Sequence, residues 1–568
     1  MHTHEPREPR PLPSHRFDAR LDLELAFTVG GKRHEVPGGQ IKALGFTLEP
    51  WGFEGRCVFT LSYERGRSQR SRETAKALLA AWTGHEPIDV TLSVRTADEP
   101  PDRSEPEALS FDARISERWL SAVDDPGVEG RPVRFRRFGF RFVDPAAWLW
   151  RRHFPAELQL DTSFAQLLET QHDKRLRLEC THPAARRKRT FLFTGLGTGP
   201  ERVSFYDWVM AEIARTGGRW LCEPDTARYR LEDKAQQPAR FVAFDRGLVH
   251  RFELALPEAE HAALALRNVV APEQGDPERE RQEAEHPVRG LVDERLVREP
   301  VPNDSKERWR FERAERARTE IPAPLLDLVF DALPPVALAP GTGMRLEERD
   351  GWSRELVFRR ERFRVRRVLF DAEAMSEEAH AGAWAAEGGF LVRMRVLAEQ
   401  LPCDRPVVAP HRRPPARTLV EGRIVSEVGE KEEETFEIRR DERSHLESLC
   451  VRLPAWDDKI VPVPFAPDFL PGHFFVPPVR DRRVLVALGH DRAEIVRHLE
   501  WRTGARPPRD TQGNQIVFGK TERDRTVISH RYEQGQPVWE LDRRKEDDRA
   551  RVRLEPEAVI IEASGDGS

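Results

Sequence analysis

The chain has 568 residues, 33% of them charged, yet its net charge is only −5 because 97 acidic residues accompany 92 basic ones. This balance disfavours a general polyanion-binding protein, which needs a basic excess to displace counterions from phosphates. The 39% hydrophobic content, with 13 Trp and 30 Phe, excludes a disordered chain. The length predicts about four domains of ordinary size.

The cysteines and the N-terminus bear on the cellular compartment. Five cysteines are scattered singly, with no Cys-x-x-Cys pair, which favours neither a disulfide framework nor a zinc knuckle. They are Cys57, Cys180, Cys222, Cys403 and Cys450. The N-terminus has no apolar signal core, and no stretch approaches the roughly 18 consecutive apolar residues of a membrane span. We expect a soluble protein made in the cytoplasm, and any export to proceed without a cleaved signal peptide.

The first part of the chain predicts a β-barrel behind a flexible arm. Residues 1–20 are rich in Pro and Arg, and we expect them to be flexible. From 21 to 150, apolar residues alternate with polar ones at the period of half-buried strands. Within this barrel domain one helix is predicted, with Ala75 and Trp82 on its buried face, ending before Gly84. A phase slip at Arg136-Arg137 predicts a β-bulge.

Residues 151–270 predict a second domain, which contains helices. Ser163 and Gln166 form a capping box at the start of one helix. Ser204 is the predicted N-cap of another, which Gly217-Gly218 ends, and strands follow at 219–222 and 229–231. Residues 271–410 are assigned to a charged insertion, dense in Glu and Arg at 272–320, and to the remainder of the region that precedes the C-terminal domains. Strand-like segments return at 356–370 and 390–397.

Two small β domains are predicted at the C-terminal end. Four or five strands within 418–505 fit a Greek-key barrel of the OB type. Residues 510–568 contain very short apolar runs separated by charged turns, at intervals of roughly ten residues. Such runs cannot bury a core alone, so they predict a β-prism or β-helix completed by other copies of the chain. An ordinary β domain is the alternative.

Three stretches, in this order along the chain, resemble the VgrG-type spike proteins of contractile injection systems, which are related to the hub and central spike of phage tails. The first runs from Phe135 through Trp150 to the helix at Ser163. The second is the helix at Ser204 with Gly217-Gly218 and Trp220. The third is the small barrel, with Val451-Arg452-Leu453-Pro454, Gly472–Pro477 and Val484–Asp491. Residues 479–483 depart from the family's pattern, and 270–410 match none of it.

The resemblance implies a mainly β fold with a few short helices: two barrel-like hub domains, an OB-fold barrel and a short trimeric β-prism. It also implies a homotrimer, with an inner-tube protein above it, baseplate proteins around it, a PAAR-like tip protein near Ile561, and possible effectors. The expected function is that of a structural spike in a type VI secretion-like or extracellular injection particle, which punctures the target membrane mechanically. A phage baseplate hub is one alternative. The other is an effector enzyme with chemistry in 270–410.

The sequence predicts no enzyme, no cofactor, no metal site and no nucleic-acid partner. His34-Glu35 and His85-Glu86 lack the second His of a metalloprotease helix. Gly195, Gly197 and Gly199 have the wrong spacing for a dinucleotide loop, and a turn is favoured. His2, His4 and His15 could chelate a metal, but solvated side chains on an arm are favoured.

The aromatic and basic residues are assigned to structural roles. Trp148, Trp150, Trp208 and Trp220 lie among apolar residues, which favours core packing. The arginines of 134–141 are assigned to a solvated strand face rather than an anion site. Aspartates accompany the arginines of the small barrel, which favours a structural role over the base stacking of nucleic-acid-binding OB folds.

Overall fold

The computed structural model is mainly β, with five helices among the residues it describes, which confirms the predicted fold class. The described residues are 11–62, 69–98, 105–125, 133–194, 196–197, 202–256, 263–268, 279–283, 292–297, 323–356, 358–376, 387–403, 405–414, 417–430, 433, 435–440, 447–464, 478–489, 493–499 and 513–565. None of the helices in these ranges is both long and apolar enough to cross a membrane.

The chain divides into two compact units, unit 1 (1–189 and 195–415) and unit 2 (190–194 and 416–568). The helices are α1 (Gln69–Thr83), α2 (Pro145–Trp150), α3 (Phe164–Thr170), α4 (Pro183–Arg186) and α5 (Phe205–Thr216). The strands up to residue 400 are β1 (Phe17–Val29), β2 (Lys32–Pro37), β3 (Ile41–Glu49), β4 (Gly52–Ser62), β5 (Asp89–Thr96), β6 (Leu109–Asp125), β7 (Val133–Val143), β8 (Glu157–Ser163), β9 (Arg177–Cys180), β10 (Lys188–Phe193), β11 (Arg219–Glu223), β12 (Arg228–Glu232), β13 (Phe241–Val242), β14 (Val249–Ala255), β15 (Ala263–Asn268), β16 (Arg279–Glu283), β17 (Val292–Val297), β18 (Leu325–Phe330), β19 (Gly343–Arg345), β20 (Arg362–Ala374) and β21 (Glu387–Gln400). The later strands are β22 (Thr418–Val425), β23 (Arg439–Arg440), β24 (Glu447–Leu453), β25 (Lys459–Pro464), β26 (Arg483–Leu488), β27 (Ala493–His498), β28 (Asn514–Thr521), β29 (Asp524–Glu533), β30 (Gln536–Lys545), β31 (Asp548–Glu555) and β32 (Ala558–Ser564).

A closed antiparallel barrel forms the core of unit 1. Its strands pair in the circuit β20-β3-β4-β7-β6-β5-β1-β21, and β21 pairs back onto β20. Closure leaves no unpaired edge within the circuit. The sheet continues from β21 through β18 to β14, and from β20 through β19 to β13. Residues 362–400 therefore complete a barrel whose other strands come from 17–143, while the predicted boundaries at 150, 270 and 410 stay predictions.

Aromatic side chains fill the barrel interior beside α1. The Trp82 ring lies edge-on to Phe27, Phe59, Phe138 and Phe140, with ring centroids 5.2 to 6.0 Å apart. Its indole nitrogen donates to the Trp119 carbonyl at 3.1 Å, so its polar atom is satisfied. The predicted helix is confirmed.

The bulge predicted at Arg136-Arg137 is wrong. The register of β7 with both β4 and β6 is continuous there, so Phe135 and Phe138 point to opposite faces and both are buried. The register shift lies instead on β6, between Ile115 and Glu117. The bulge was misplaced because β7 buries residues on both of its faces. Its sequence therefore lacks the alternation of apolar and polar residues from which strand register is predicted.

Local capping signals position the helices of unit 1 as predicted. Ser163 with Gln166, and Ser204 with Asp207, form reciprocal capping boxes at α3 and α5. Gly217 ends α5 in the left-handed conformation, φ +73°. β11 and β12 then pair as an antiparallel hairpin.

A buried polar contact joins α2 to β12. Asp144, the N-cap of α2, accepts hydrogen bonds from the Ala147 amide at 2.9 Å and the Tyr229 hydroxyl at 2.8 Å. The Tyr229 hydroxyl in turn accepts from the Ala146 amide at 3.1 Å. Burial raises the pKa of Asp144, although these hydrogen bonds oppose the shift.

The described residues of 416–568 in unit 2 form two separate antiparallel sheets. The first has the order β23-β24-β22-β26-β27, with β25 also on β24. The second, which we call the tail sheet, is the five-stranded meander β28 to β32. The predicted motif at 472–477 lies outside the described residues, as does 502–511, which connects the two small β domains. Most of 272–320 also lies outside them. The parts of that range that are described include β16 and β17, each of which pairs with β15.

Candidate assembly interface

Tight turns connect the strands of the tail sheet. Gln534 and Gly535 link β29 to β30 with φ of +49° and +81°, the double left-handed conformation that matches the twist of a hairpin. The strands have seven to ten residues, longer than the short apolar runs predicted. The sequence pattern missed the rest of each strand because charged residues occupy it.

The register of the tail sheet places most of its large apolar side chains on one face. One cross-strand row is Ile516, Ile528, Leu541, Val552 and Ile561, which pair successively from β28 to β32. Side chains two residues away along each strand share this face. We call it the apolar face: Ile516, Phe518, Ile528, Tyr532, Trp539, Leu541, Val552, Leu554, Val559 and Ile561.

The apolar face is open in the single chain. Val559 and Ile561 are 66% and 75% exposed, and Phe518 is 47% exposed. A contiguous apolar surface of this kind is uncommon on a monomeric protein and marks a contact surface. Within this sheet β28 and β32 are also edge strands, each with one paired neighbour.

The opposite face of the tail sheet carries a network of ion pairs, which we call the charged face. Glu540 lies at its centre with a side chain only 7% exposed, and accepts hydrogen bonds from Arg551 at 2.7 Å and Arg531 at 2.9 Å. Asp542 accepts from Arg549 at 2.6 Å and Arg544 at 3.0 Å.

The arginines determine the protonation of this network. Burial acts to raise the pKa of Glu540, but the hydrogen bonds from Arg551 and Arg531 outweigh it and hold the pKa below its usual value. The pKa of Asp542 is lowered in the same way, with Arg549 overcoming the effect of burial. Both carboxylates are therefore ionised at neutral pH and satisfied within their own chain.

The two faces of the tail sheet differ in how their side chains are satisfied in the single chain. The charged face buries its carboxylates under arginines of the same sheet, whereas the apolar face leaves aromatic and branched side chains in water. A folded sheet gains free energy when such a face is covered, by about 25 cal/mol for each Å² of apolar surface removed from water. The arrangement can therefore drive association.

Residues 559–561, around the expected position of the tip protein, are split between the two faces. Val559 and Ile561 lie on the apolar face, while Ile560 pairs with Arg553 on the charged face and is half-buried. Strand alternation separates neighbours that the sequence pattern had grouped together.

The other residues singled out in the sequence are dispersed. Trp150, Trp208 and Trp220 are fully buried, which confirms their core role, but Trp148 is half-buried between Arg114 and Arg152. Of the basic strand 134–141, Arg137 and Arg141 are exposed as expected.

Gly197 lies in a turn with φ +80°, while Gly195, Gly199, His2 and His4 lie outside the described residues. His15 does approach other possible metal ligands, His250 and Asp331.

A groove of about 780 Å³ in unit 1 is lined by charged side chains that pair with one another. The pairs are Arg56 with Asp371 at 3.2 Å, Arg141 with Glu117 at 3.4 Å, and Arg151 with Glu54 at 3.9 Å.

Chains of solved PdpA–VgrG complexes share this architecture at low sequence identity. A chain of the lidless PdpA–VgrG complex aligns with a TM-score of 0.66 and 11% identity, over 96% of this chain and 99% of that one. A chain of the half-lidded Francisella PdpA–VgrG complex gives 0.67 and 11%, over 96% and 88%. The E. coli c3393 protein, a component of the type VI secretion system, gives 0.43 and 13%, over 81% and 97%.

No described protein family matches the sequence, and no curated protein matches it significantly. At these identities the likeness to the PdpA–VgrG chains establishes a shared fold. It extends over nearly the whole chain rather than a single domain.

Proposed function

We propose that this protein is a structural hub and spike of a contractile injection apparatus, and that three copies associate through the apolar face of the tail sheet. The observation that carries the proposal is the pairing of an uncovered apolar face with a charged face whose carboxylates, Glu540 and Asp542, are paired with arginines of the same chain. The fold shared with PdpA–VgrG chains and the VgrG-like motifs of the sequence support the same function.

Other copies of the same chain are the partners best suited to cover the apolar face. The cross-strand rows of Leu541 and Trp539 on this face contain no Asp, Glu, Lys or Arg, so they can meet their own counterparts without leaving an unpaired charge buried. Three sheets related by a three-fold axis can turn their apolar faces inward and their charged faces outward, which forms a prism. A closed rotational arrangement ends assembly at three chains.

The proposed function is mechanical. Contraction of a sheath would drive an inner tube and this spike against the target envelope, and a prism with an apolar interior resists separation of its strands. The proposed neighbours are the inner-tube protein, baseplate proteins, a PAAR-like tip protein near Ile561, and effectors carried with the spike. The protein would be made in the bacterial cytoplasm and delivered within the particle.

Deletion of the gene in its native host tests this function. Cells lacking the protein should form no complete sheathed particles in electron micrographs, and the wild-type gene should restore them. A gene encoding Ile561→Asp should fail to restore particles, whereas Ile560→Asp should succeed. Particles of normal number and length in the deletion strain would contradict the proposal.

A further inference from the structure

Two histidines and an aspartate that are distant in sequence meet at the edge of the unit 1 sheet. His15 precedes β1, His250 lies on the edge strand β14, and Asp331 directly follows β18. Nε2 of His15 lies 2.5 Å from Oδ1 of Asp331, and Nδ1 of His250 lies 3.4 Å from the same oxygen. The two imidazole rings stack with centroids 3.7 Å apart and planes within 5°.

A backbone irregularity directs His250 toward this cluster. The register between β14 and β18 shifts between Val249 and Arg251, so His250 is the extra residue of a β-bulge. A bulge breaks the alternation of a strand and re-aims the side chain it carries. The Asp331 amide donates to the Leu248 carbonyl at 2.8 Å, which holds the carboxylate beside the bulge.

A separate contact holds the segment that carries His15. Arg395 on β21 donates to the Pro11 carbonyl at 2.8 Å and is itself fixed by Asp327 on β18, whose Oδ1 accepts from its Nε at 2.8 Å. Both of these charged side chains are nearly fully buried. The position of His15 is therefore set by the unit 1 sheet.

We propose that His15, His250 and Asp331 bind one divalent transition metal ion of the Zn²⁺ type. Two imidazole nitrogens and a carboxylate oxygen are a donor set typical of Zn²⁺, Co²⁺ or Ni²⁺ and unlike the all-oxygen sets of Mg²⁺ and Ca²⁺. The three ligand atoms lie within 4.8 Å of one another. Donor atoms on a tetrahedral ion with bonds of about 2.0–2.1 Å lie roughly 3.4 Å apart, so Nε2 of His15 and Oδ1 of Asp331 must separate, and the stacked rings must turn to aim both nitrogens at the ion.

The ion would fasten the segment before β1 to the edge strand of the sheet. The three side chains are 29% to 47% exposed, so water can reach the site and fill the remaining coordination position. The bound ion would link three sequence-distant parts of unit 1 and cover one end of an exposed edge. This function is independent of association through the tail sheet.

Metal binding to the full-length protein tests the proposal. After treatment with a chelator, titration with Co²⁺ should produce the absorption of a tetrahedral site with one ion per chain, and Zn²⁺ should displace it. His250→Ala and Asp331→Asn should each weaken Zn²⁺ binding at least tenfold in calorimetry. Zn²⁺ should also slow cleavage by trypsin ahead of β1 in the wild type, but not in His250→Ala.

Two control variants, at histidines outside the cluster, test whether the metal ligands are assigned correctly. His85→Ala, a change at an exposed histidine outside the cluster, should bind Zn²⁺ as the wild type does. The double variant His2→Ala/His4→Ala should also bind normally. Absence of saturable binding, undiminished binding in His250→Ala, or loss of binding in the double variant would each overturn the assignment.

Discussion

Ile560 and Ile561 are adjacent on β32 but face opposite ways, and they provide a matched test of the apolar face. Ile561→Asp places a carboxylate where three chains would meet, and we expect it to weaken trimerisation roughly a hundredfold or more, because a buried unpaired charge is costly. Ile560→Asp introduces the same group beside Arg553 on the charged face, and should leave association near wild type. Sedimentation velocity over a concentration series distinguishes the two.

Equal effects of the two aspartates would contradict this assignment of faces. Equal losses would mean that the contact involves the whole strand or its edge. If neither change had an effect, β32 would lie outside the interface.

Glu540 is the residue on which the charged face depends most. Glu540→Gln keeps the shape but removes the charge that Arg531 and Arg551 share, and we expect it to destabilise the tail sheet by about 1–3 kcal/mol. The matched control is Glu562→Gln, because Glu562 is 56% exposed and lies 3.4 Å from Arg551. An exposed pair of that kind contributes about 0–1 kcal/mol. Chemical denaturation followed by Trp539 fluorescence measures both changes, and a larger loss in Glu562→Gln would refute the central role of Glu540.

At the scale of the element, the tail sheet should be sensitive to acid. The pKa values of Glu540 and Asp542 lie below their usual values of 4.5 and 3.8, so the folded sheet binds these protons more weakly than the unfolded chain does. The resulting stability is fully present above the unfolded pKa values and is lost as pH falls through the folded ones. Thermal unfolding of the tail sheet should therefore change little from pH 7 to 5 and shift to lower temperature below about pH 4. A midpoint that rises on acidification would contradict the network.

Elements whose ends are determined by a few neighbouring residues could be predicted from the sequence. The pairing of strands that lie far apart in the sequence could not. The helix caps at Ser163 and Ser204 and the stop at Gly217 need only a few neighbouring residues, and all three are confirmed. Closure of the barrel joins Phe370 to Phe46 and Val392 to Phe17, pairs that no local pattern encodes.

The candidate sites were only partly predictable for the same reason. The tail was recognised from its apolar runs, but the length of its strands was missed because Arg551 and Asp542 belong to the charged face rather than to turns. Of the proposed metal ligands only His15 was noted, because Asp331 lies 316 residues further along the chain. The bulge that aims His250 has no signature in a single sequence.

At the scale of the whole molecule, the strands described within 323–400 belong to the sheet of unit 1. β18, β20 and β21 are central strands of the unit 1 sheet, with the buried pairs Arg395–Asp327 and Arg364–Glu399 between them. This arrangement disfavours a separately folded effector within those residues. The two units accordingly have different proposed tasks: a hub with a closed barrel, and a spike whose tail sheet is completed by other chains.

The mass of the purified full-length protein in solution tests the central claim most directly. Light scattering coupled to size exclusion at micromolar concentration should give three times the 65.4 kDa of one chain, and dilution to nanomolar concentration should leave that mass unchanged. Obligate interfaces of this kind bury on the order of 2,000–5,000 Å². A stable monomer at micromolar concentration would contradict the account.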